Sequence, residues 1–317
     1  MKTMILLQLV CVAGLAAAQS PANAPPKDSL PAQDLTDQSG PPMLGLHWSR
    51  DFDPTARASD DAKNDAKTAR PHSNPNMTYH GGKIMPTAVT EAIFWGPSWN
   101  TNPGDKITGM NSWYQGFNQS HYAAASDEYT GSNGQVGSNT IYLGSVIDGS
   151  ASKCGSNTSA ILAEVCKVIT SPDTSGNGYY AVYSDTPRGN ANYCAYHSYG
   201  SCGGHLIQFA YFFKLDGDAG CDPQDTSGLH SQGLAAIANV SGHELSEART
   251  DPASPGAWYD ASGNENGDKC AWTFGAPLVT FSNGSEWKIQ GEWSNAAYTA
   301  GTGYPNSSGQ KGCLSGK

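Results

Sequence analysis

The residues whose types and spacing could do chemistry lie in one stretch, Asn-Val-Ser-Gly-His-Glu-Leu-Ser-Glu-Ala-Arg-Thr-Asp-Pro, at positions 239–252. In a helix, His243 and Glu247 are i and i+4 neighbours on one face, which is the spacing of two ligands to one metal ion. Glu244 lies about 100° round the helix, where its carboxylate could reach a water on the same metal. The zinc-peptidase motif H-E-x-x-H has this arrangement, with His in place of Glu247. The pattern therefore predicts His243 and Glu247 as metal ligands and Glu244 as general base.

A third ligand must come from elsewhere in the chain, because a zinc site that does chemistry needs about three protein ligands and a water. Asp268 is the favoured residue and Glu265 the second choice, since a turn at Asn-Glu-Asn-Gly-Asp (264–268) can bring the chain back to the helix. Asp251 is about two helical turns from His243 and lies too far along the axis. The alternative is that 264–268 is an ordinary surface turn.

Zinc is the expected metal, because the imidazole of His243 favours zinc or another transition metal. Calcium is the alternative, since hard oxygen donors are also present: Glu247, Glu265, Asp268 and Asp260. With zinc bound, Glu244 would take a proton from the metal-bound water and pass it to a leaving amine. Four residues are candidates for steadying the oxyanion: His197, His205, His230 and Tyr259.

The helix that must position these groups is predicted over 229–249. Small and apolar residues recur along it at helical spacing and form one stripe: Leu234, Ile237, Ser241, Leu245 and Ala248. The helix should end at Asp251-Pro252, since proline cannot continue it. A buried helix would carry the imidazole and the carboxylates into the core, which is costly without a compensating cation.

The remaining pattern predicts a single α+β domain, zincin-like, with a mixed sheet and a buried helix that bears the motif. Helices are predicted at 106–114 and 159–170 by apolar spacing. Strands are predicted where apolar and β-branched residues cluster between turn signals: 85–95, 140–147, 179–183, 205–215, 277–281 and 287–293.

The first residues predict the compartment. Residues 1–18 have a basic start, an apolar middle and a small-residue end, which is the pattern of a secretory signal peptide. Residues 19–75 are rich in Pro, Ala, Asp and Ser and predict a disordered leader or propeptide. A propeptide would mask a cleft until it is removed; a plain linker is the alternative. The apolar patch 42–48 is the part of the leader that could dock on the globular domain, which is predicted over 76–317.

Composition and cysteine content agree with secretion. The net charge of −10 argues against nucleic acid as a partner, and no stretch is long and apolar enough to predict a membrane span. The protein is expected to be an extracellular monomer. The cysteines left after signal removal should mostly pair. The expected pairs are Cys154 with Cys166, Cys194 with Cys202 and Cys270 with Cys313, leaving Cys221 free.

Several motifs in order resemble the EXORDIUM (phosphate-induced protein) family, and they cover most of the chain from 78 to 313: Thr-Tyr-His-Gly-Gly at 78–82, Phe-Trp-Gly at 94–96, Gly-His-Glu-Leu-Ser-Glu at 242–247, Ala-Trp-Tyr at 257–259, Glu-Asn-Gly-Asp-Lys-Cys at 265–270, Gln-Gly-Glu-Trp-Ser-Asn at 290–295 and a final Cys. The sequences Asp251-Pro252 and Glu-Asn-Gly-Asp-Lys-Cys resemble the microbial members more closely than the plant members, where Asn can stand at the position of Asp251. The resemblance implies a secreted protein of the cell wall or matrix.

Two classes of function follow from these patterns. The first is a secreted zinc-dependent metallohydrolase, a peptidase with Glu244 as general base and an extracellular protein or peptide as substrate. The second is a noncatalytic extracellular protein associated with cell-wall or matrix material, in which a metal or a polar cluster holds the fold together. A ligand set with one imidazole and two carboxylates predicts a weaker Lewis acid than a two-His site, and slow or no peptidase activity.

Overall fold

The computed structural model describes residues 40–52 and 74–317. The predicted signal peptide, 1–18, lies outside the described residues, as does most of the predicted leader. Helices and strands are both well represented, and the main sheet is mixed. The predicted α+β class is therefore confirmed.

The element bounds are as follows. The strands are Leu44–Trp48 (β1), Thr78–Tyr79 (β2), Ala88–Trp95 (β3), Thr130–Gly131 (β4), Gly134–Gln135 (β5), Thr140–Asp148 (β6), Gly178–Pro187 (β7), Tyr193–Cys202 (β8), His205–Lys214 (β9), Trp258–Tyr259 (β10), Val279–Thr280 (β11), Glu286–Trp287 (β12), Glu292–Trp293 (β13), Tyr304–Pro305 (β14) and Lys311–Leu314 (β15). The α-helices are Ser98–Thr101 (α1), Lys106–Phe117 (α2), His121–Ala124 (α3), Thr158–Val168 (α4), Gln232–Thr250 (α5) and Asn295–Ala300 (α6), and short 3₁₀ turns lie at Ala219–Cys221 and Asp268–Cys270.

Six strands form the main sheet in the order β1-β8-β9-β7-β3-β6. β9, β7, β3 and β6 run parallel to their neighbours in that series, while β8 is antiparallel to both β9 and β1. The four parallel strands are apolar along most of their length, which is usual where helices cover a sheet. The antiparallel pair β8 and β1 forms the end of the sheet that lies nearest the candidate site.

Helix α5 is the central element of the fold, and every residue from Gly233 to Thr250 is buried. It packs against α2 and against the sheet at β1, β8 and β9. The side chain of Ser231 caps its first turn by accepting from the backbone N–H of Leu234, and the helix ends before Asp251-Pro252, as the proline predicts. The helix that bears the motif is thus enclosed by protein on all sides.

The largest difference from the prediction concerns the leader. Residues 44–48, which the sequence places in the disordered segment 19–75, form strand β1 at the edge of the main sheet. The hydroxyl of Ser198 donates to the carbonyl oxygen of Pro42, and the backbone N–H of Arg50 donates to Gly220 at 2.8 Å. The prediction of disorder is therefore wrong for residues 40–52. The apolar patch 42–48 does dock on the domain.

Other elements differ because their pairing is long-range. The sequence pattern predicts no strand at β8, although the first six residues of this strand are all buried. The expected strand at 287–293 is wrong, since β12 and β13 are two separate short strands in different sheets. The predicted helix 229–249 begins three residues later, at Gln232, because Ser231 is its cap.

Three disulfides join pairs of described cysteines: Cys166–Cys202, Cys194–Cys221 and Cys270–Cys313. The predicted pair Cys270–Cys313 is confirmed. The predictions of Cys154–Cys166, of Cys194–Cys202 and of a free Cys221 are wrong. Spacing along the chain does not reveal which cysteines the fold brings together. The bonds fit an extracellular protein. None of the helices in 40–52 and 74–317 has the length and apolar character that crossing a bilayer requires.

Candidate metal centre

A first group of ligand atoms joins α5 to the loop after β10. Nε2 of His243 lies 3.1 Å from Oε1 of Glu247 and 3.6 Å from Oδ1 of Asp268. Four ligands at zinc distances of about 2.0–2.1 Å form a tetrahedron whose corners are about 3.3–3.4 Å apart. The two predicted ligands on the helix and the favoured third residue therefore lie at separations that one metal ion could bridge.

A second group shares Glu247 and adds a residue that the sequence did not indicate as a ligand. Nε2 of His197, on β8, lies 3.3 Å from Oε1 of Glu265 and 3.9 Å from Oε2 of Glu247. Glu265, the second choice for the third ligand, and His197 therefore both lie close to Glu247. His197 was a candidate for steadying the oxyanion; its place as a neighbour of Glu247 follows from β8, for which no strand was predicted.

The loop that carries Asp268 and Glu265 is fixed by hydrogen bonds to the helix and within itself. The backbone N–H of Asp268 donates to Oε1 of Glu247 at 2.9 Å, and the backbone N–H of Glu265 donates to Oδ2 of Asp268 at 3.0 Å. Gly267 lets the loop approach, because a methyl group there would lie 2.9 Å from Nδ1 of His243. The 264–268 segment is therefore part of the site and not a free surface turn.

The polar atoms of this cluster are largely without partners. Twenty buried side-chain nitrogen and oxygen atoms among the described residues have no hydrogen-bond partner, and eight of them are in the cluster: both ring nitrogens of His47, Nδ1 of His197, Nε2 of His243, both oxygens of Glu244, Oε2 of Glu247 and Oε2 of Glu265. Burying such groups without partners costs free energy. A bound cation would remove much of that cost.

The carboxyl groups of the cluster repel one another in the absence of a cation. Burial raises the pKa values of Glu244 and Glu265 well above the usual carboxyl range, and the charge of Glu247 raises both further. Burial also raises the pKa of Glu247 itself. Among the described residues, no lysine or arginine forms an ion pair with these three carboxylates. The described residues therefore supply no lysine or arginine to hold these three carboxylates ionised.

The histidines of the cluster are in the neutral form that metal binding needs. Burial lowers the pKa of His243 and that of His197 to about 3. The pKa of His47 is also lowered, first by burial and then by the neighbouring His243. At neutral pH all three rings carry lone pairs.

Gln290 determines which nitrogen of His243 carries the proton. Its side-chain N–H groups donate to Nδ1 of His243 at 3.1 Å and to the carbonyl oxygen of Gly267 at 2.9 Å. A neutral ring that accepts at Nδ1 has its proton on Nε2. Metal binding at Nε2 requires the other tautomer, with Nδ1–H donating to the oxygen of a rotated Gln290 amide. The donor set fits a metal ion, and the Gln290 contact is the feature that must change.

Strand β1 closes the cluster. The ring of His47 stacks on the ring of His243 with 4.1 Å between centroids, and Trp272 stacks on the other face of His47 at 4.5 Å. A methyl group added at Gly45 would lie 2.0 Å from Oε2 of Glu247 and 2.6 Å from Nε2 of His197. The backbone of the segment therefore passes directly over the second group of ligand atoms.

Glu244, the predicted general base, belongs to neither group of ligand atoms. It is fully buried beneath β1 and β8. The backbone amides of His47 and His197 face its carboxylate and partly offset the rise in its pKa, but neither is aligned for a hydrogen bond. Its position next to the ligands, and not among them, is what a general base requires.

Several other sequence candidates belong to neither group of ligand atoms. Asp251 accepts a hydrogen bond from the backbone N–H of Ala257 and shapes the loop after α5. Asp260, a candidate calcium ligand, pairs with Lys269 at 2.8 Å. The remaining oxyanion candidates also have other surroundings: His205 is exposed, His230 stacks on Trp287, and Tyr259 stacks on His80.

Comparisons with known proteins add nothing to these observations: no family model, no curated protein and no solved structure matches the chain. The resemblance to the EXORDIUM family stays a prediction from the motifs.

Proposed function

We propose that this protein is a secreted metal-dependent hydrolase that acts on peptides, with zinc as the metal. The observation that carries the proposal is the buried cluster of His243, Glu247, Asp268, His197 and Glu265, whose ligand atoms lie at bridging distances. The carboxylates of Glu247 and Glu265 have no ion pair with a lysine or arginine among the described residues. A divalent cation would neutralise them and take up the lone pairs of the histidines.

Each residue has a part in this proposal. His243, Glu247 and Asp268 would hold the metal, which when bound would polarise a scissile carbonyl and acidify a water. Glu244 holds a proton readily because burial raises its pKa, so it can accept one from that water and release it to a leaving amine. The enclosing protein keeps other water away, which strengthens electrostatic interactions at the site.

The second candidate is a noncatalytic extracellular protein of the EXORDIUM type, in which the metal or the polar cluster is structural. One observation favours it. The cluster is closed over by β1, and structural metal sites are closed while catalytic ones keep an open position. Asp268, whose side chain is 16% exposed, borders a shallow cavity of about 140 Å³ and is the member of the cluster nearest to solvent.

Glu244→Gln separates the two candidates. We expect the variant to keep its metal, because Glu244 is not a ligand, and to lose at least about a hundredfold in peptide hydrolysis, the usual contribution of a general base. Metal content and turnover of a mixed peptide library are measured on both proteins, each loaded with zinc. Equal turnover in the two proteins would exclude Glu244 as the base, and no turnover in either would favour the noncatalytic candidate.

A further inference from the structure

The edge of the sheet beside the cluster is formed by a strand from outside the main domain. β1 pairs antiparallel with β8, with Leu44 opposite His197, His47 opposite Ala195 and Trp48 opposite Tyr193. Without β1, β8 would be the last strand of the sheet. A free strand edge is a template on which an extended peptide can add as a further strand.

The backbone of β1 is adapted to pass over the cluster. Gly45 has φ +48, a left-handed conformation, and the register with β8 is irregular between Leu44 and His47. A side chain at position 45 would collide with Glu247 and His197. The glycine allows the segment to pass close to Glu247 and His197.

The ring of His47 fills a slot between His243 and Trp272. Trp272 is also held to the segment by its indole N–H, which donates to the carbonyl oxygen of Trp48 at 2.9 Å. Neither ring nitrogen of His47 has a hydrogen-bond partner among the described residues. The space between the rings of His243 and Trp272 therefore fits a flat side chain, which stacks on both of them.

The general base faces the same segment. The backbone amide of His47 points toward the carboxylate of Glu244, so the peptide bond between Leu46 and His47 lies next to the residue that would protonate a leaving amine. The first ligand group is also covered by this stretch, through the stacking of His47 on His243.

The segment that links β1 to the rest of the domain, residues 53–73, differs from β1 in its amino-acid composition. Residues 53–73 contain no Val, Ile, Leu, Met, Phe, Trp, Tyr or Cys, and they include four basic residues: Arg57, Lys63, Lys67 and Arg70. A sequence of this composition is suited to cleavage by a trypsin-like protease. Cleavage there would break the backbone connection between β1 and the rest of the domain.

We propose that the β8 edge above the cluster is a binding groove for an extended peptide, and that residues 42–48 occupy it as an internal substitute for the substrate. The proposal rests on the proposed function for the reaction: water adds across the bound amide, the carbonyl carbon gains the hydroxyl, the C–N bond breaks, and the amine nitrogen leaves with a proton from Glu244. The groove takes a residue without a side chain at the position of Gly45 and a flat ring at the position of His47.

The test uses the full chain with a unique protease site inserted near residue 60. After cleavage, the N-terminal fragment is removed on a sizing column and the remainder is checked by circular dichroism. A labelled synthetic peptide of residues 40–52 is then titrated against it by fluorescence anisotropy, beside Gly45→Val and Leu46→Val versions of the peptide. We expect saturable binding, weakened at least fiftyfold by Gly45→Val and less than fivefold by Leu46→Val, because position 45 lies against Glu247 and His197 and position 46 does not.

Two results would overturn the groove. One is unfolding of the remainder when the fragment is removed, which would make β1 an integral strand. The other is binding of the Gly45→Val peptide as tightly as the native one. As a check that needs no cleavage, Gly45→Val in the intact chain should make 42–48 sensitive to added protease, while the intact Leu46→Val chain stays resistant; equal resistance would also count against the proposal.

The same preparation separates the groove from the hydrolase. If the peptide binds as expected but the zinc-loaded remainder cleaves no peptide, the groove stands and the proposed activity falls. If peptides are cleaved equally fast before and after the fragment is removed, the activity stands and 42–48 is not an occupant of the substrate groove.

Discussion

Glu247 on α5 and Glu292 on β13 are both fully buried, and the groups around them differ. Both oxygens of Glu292 accept hydrogen bonds from serine hydroxyls, those of Ser126 and Ser246, and the nearby Arg249 guanidinium lowers its pKa against the effect of burial. Glu247 accepts one hydrogen bond, from Asp268, and its Oε2 has no partner among the described residues. Ser246 and Glu247 are adjacent on the helix, so one turn of α5 serves both environments.

The surroundings of these two carboxylates differ in how their negative charge can be balanced. Around Glu292 the protein provides donors and a positive charge, so the group is accommodated by the fold itself. Around Glu247 it provides two histidines and two further carboxyl groups, which could hold a metal ion, and one hydrogen bond from the backbone N–H of Asp268. The predictions below test this difference, using Glu292 as the matched control for Glu247.

The largest effect is expected from Glu247→Gln. Both groups of ligand atoms include Glu247, so its loss should weaken zinc binding by more than about a hundredfold, beyond the loss caused by a residue that only orients a ligand. Zinc affinity is measured by competition with a chromophoric chelator. Glu292→Gln should bind zinc within about twofold of wild type; a loss of zinc in both variants would mean that the comparison is wrong.

Removal of the metal should lower stability by about 3 kcal/mol where zinc is present at about a hundred times its dissociation constant. For a domain of this size that corresponds to a fall in Tm of about 5–10 °C on adding a chelator. The measurement is thermal unfolding with and without chelator. Glu292→Gln should show the same fall and Glu247→Gln almost none. A chelator that leaves the wild-type Tm unchanged would contradict a metal bound to the folded state.

Gly267→Ala should be destabilising by about 2 kcal/mol, because the added methyl group would lie 2.9 Å from Nδ1 of His243 and 3.0 Å from Oε1 of Glu247. The loop must then move away, which separates Asp268 from the helix and should weaken zinc binding about tenfold. Chemical denaturation and the same zinc competition check both effects. Gly263→Ala is the control, since that glycine has open space around it; it should lose some stability through its positive φ but keep its zinc affinity.

The smallest effect is a pH dependence in the metal-free protein. Burial raises the pKa of Glu292 from 4.5 to about 7. Below pH 4.5 the group is protonated in both states; between about 4.5 and 7 the folded state holds a proton that the unfolded state releases, so stability falls as pH rises through this window. Glu292→Gln should remove about 1–2 kcal/mol of that fall. Denaturation at pH 5 and pH 8 measures it, and equal pH dependence in the two proteins would contradict the raised pKa.

The sequence was sufficient for the parts of the site that depend on local spacing. The period of α5, its end at Pro252 and the i, i+4 relation of His243 and Glu247 are set within one helix, and the return of the chain at Asn-Gly brought Asp268 to it. These features need no knowledge of the rest of the fold.

The parts of the site that the sequence did not predict depend on pairing between segments that are far apart in the chain. His197 reaches the cluster because β8 adds next to β9, and β1 covers it because a segment about 150 residues earlier pairs with β8. The short apolar patch at 42–48 was visible, but nothing in its composition shows that it lies on His243. The disulfide Cys194–Cys221 was missed for the same reason, since it joins β8 to the turn after β9.

The most direct test is the metal content of the purified protein, measured by elemental analysis before and after release of residues 42–48 and compared with Glu247→Gln and Glu292→Gln. The account predicts about one zinc per chain in wild type after zinc loading, retained in Glu292→Gln and lost in Glu247→Gln. Folded wild-type protein that takes up no zinc in either form would contradict it, and would leave the cluster of histidines and carboxylates as a polar part of the fold.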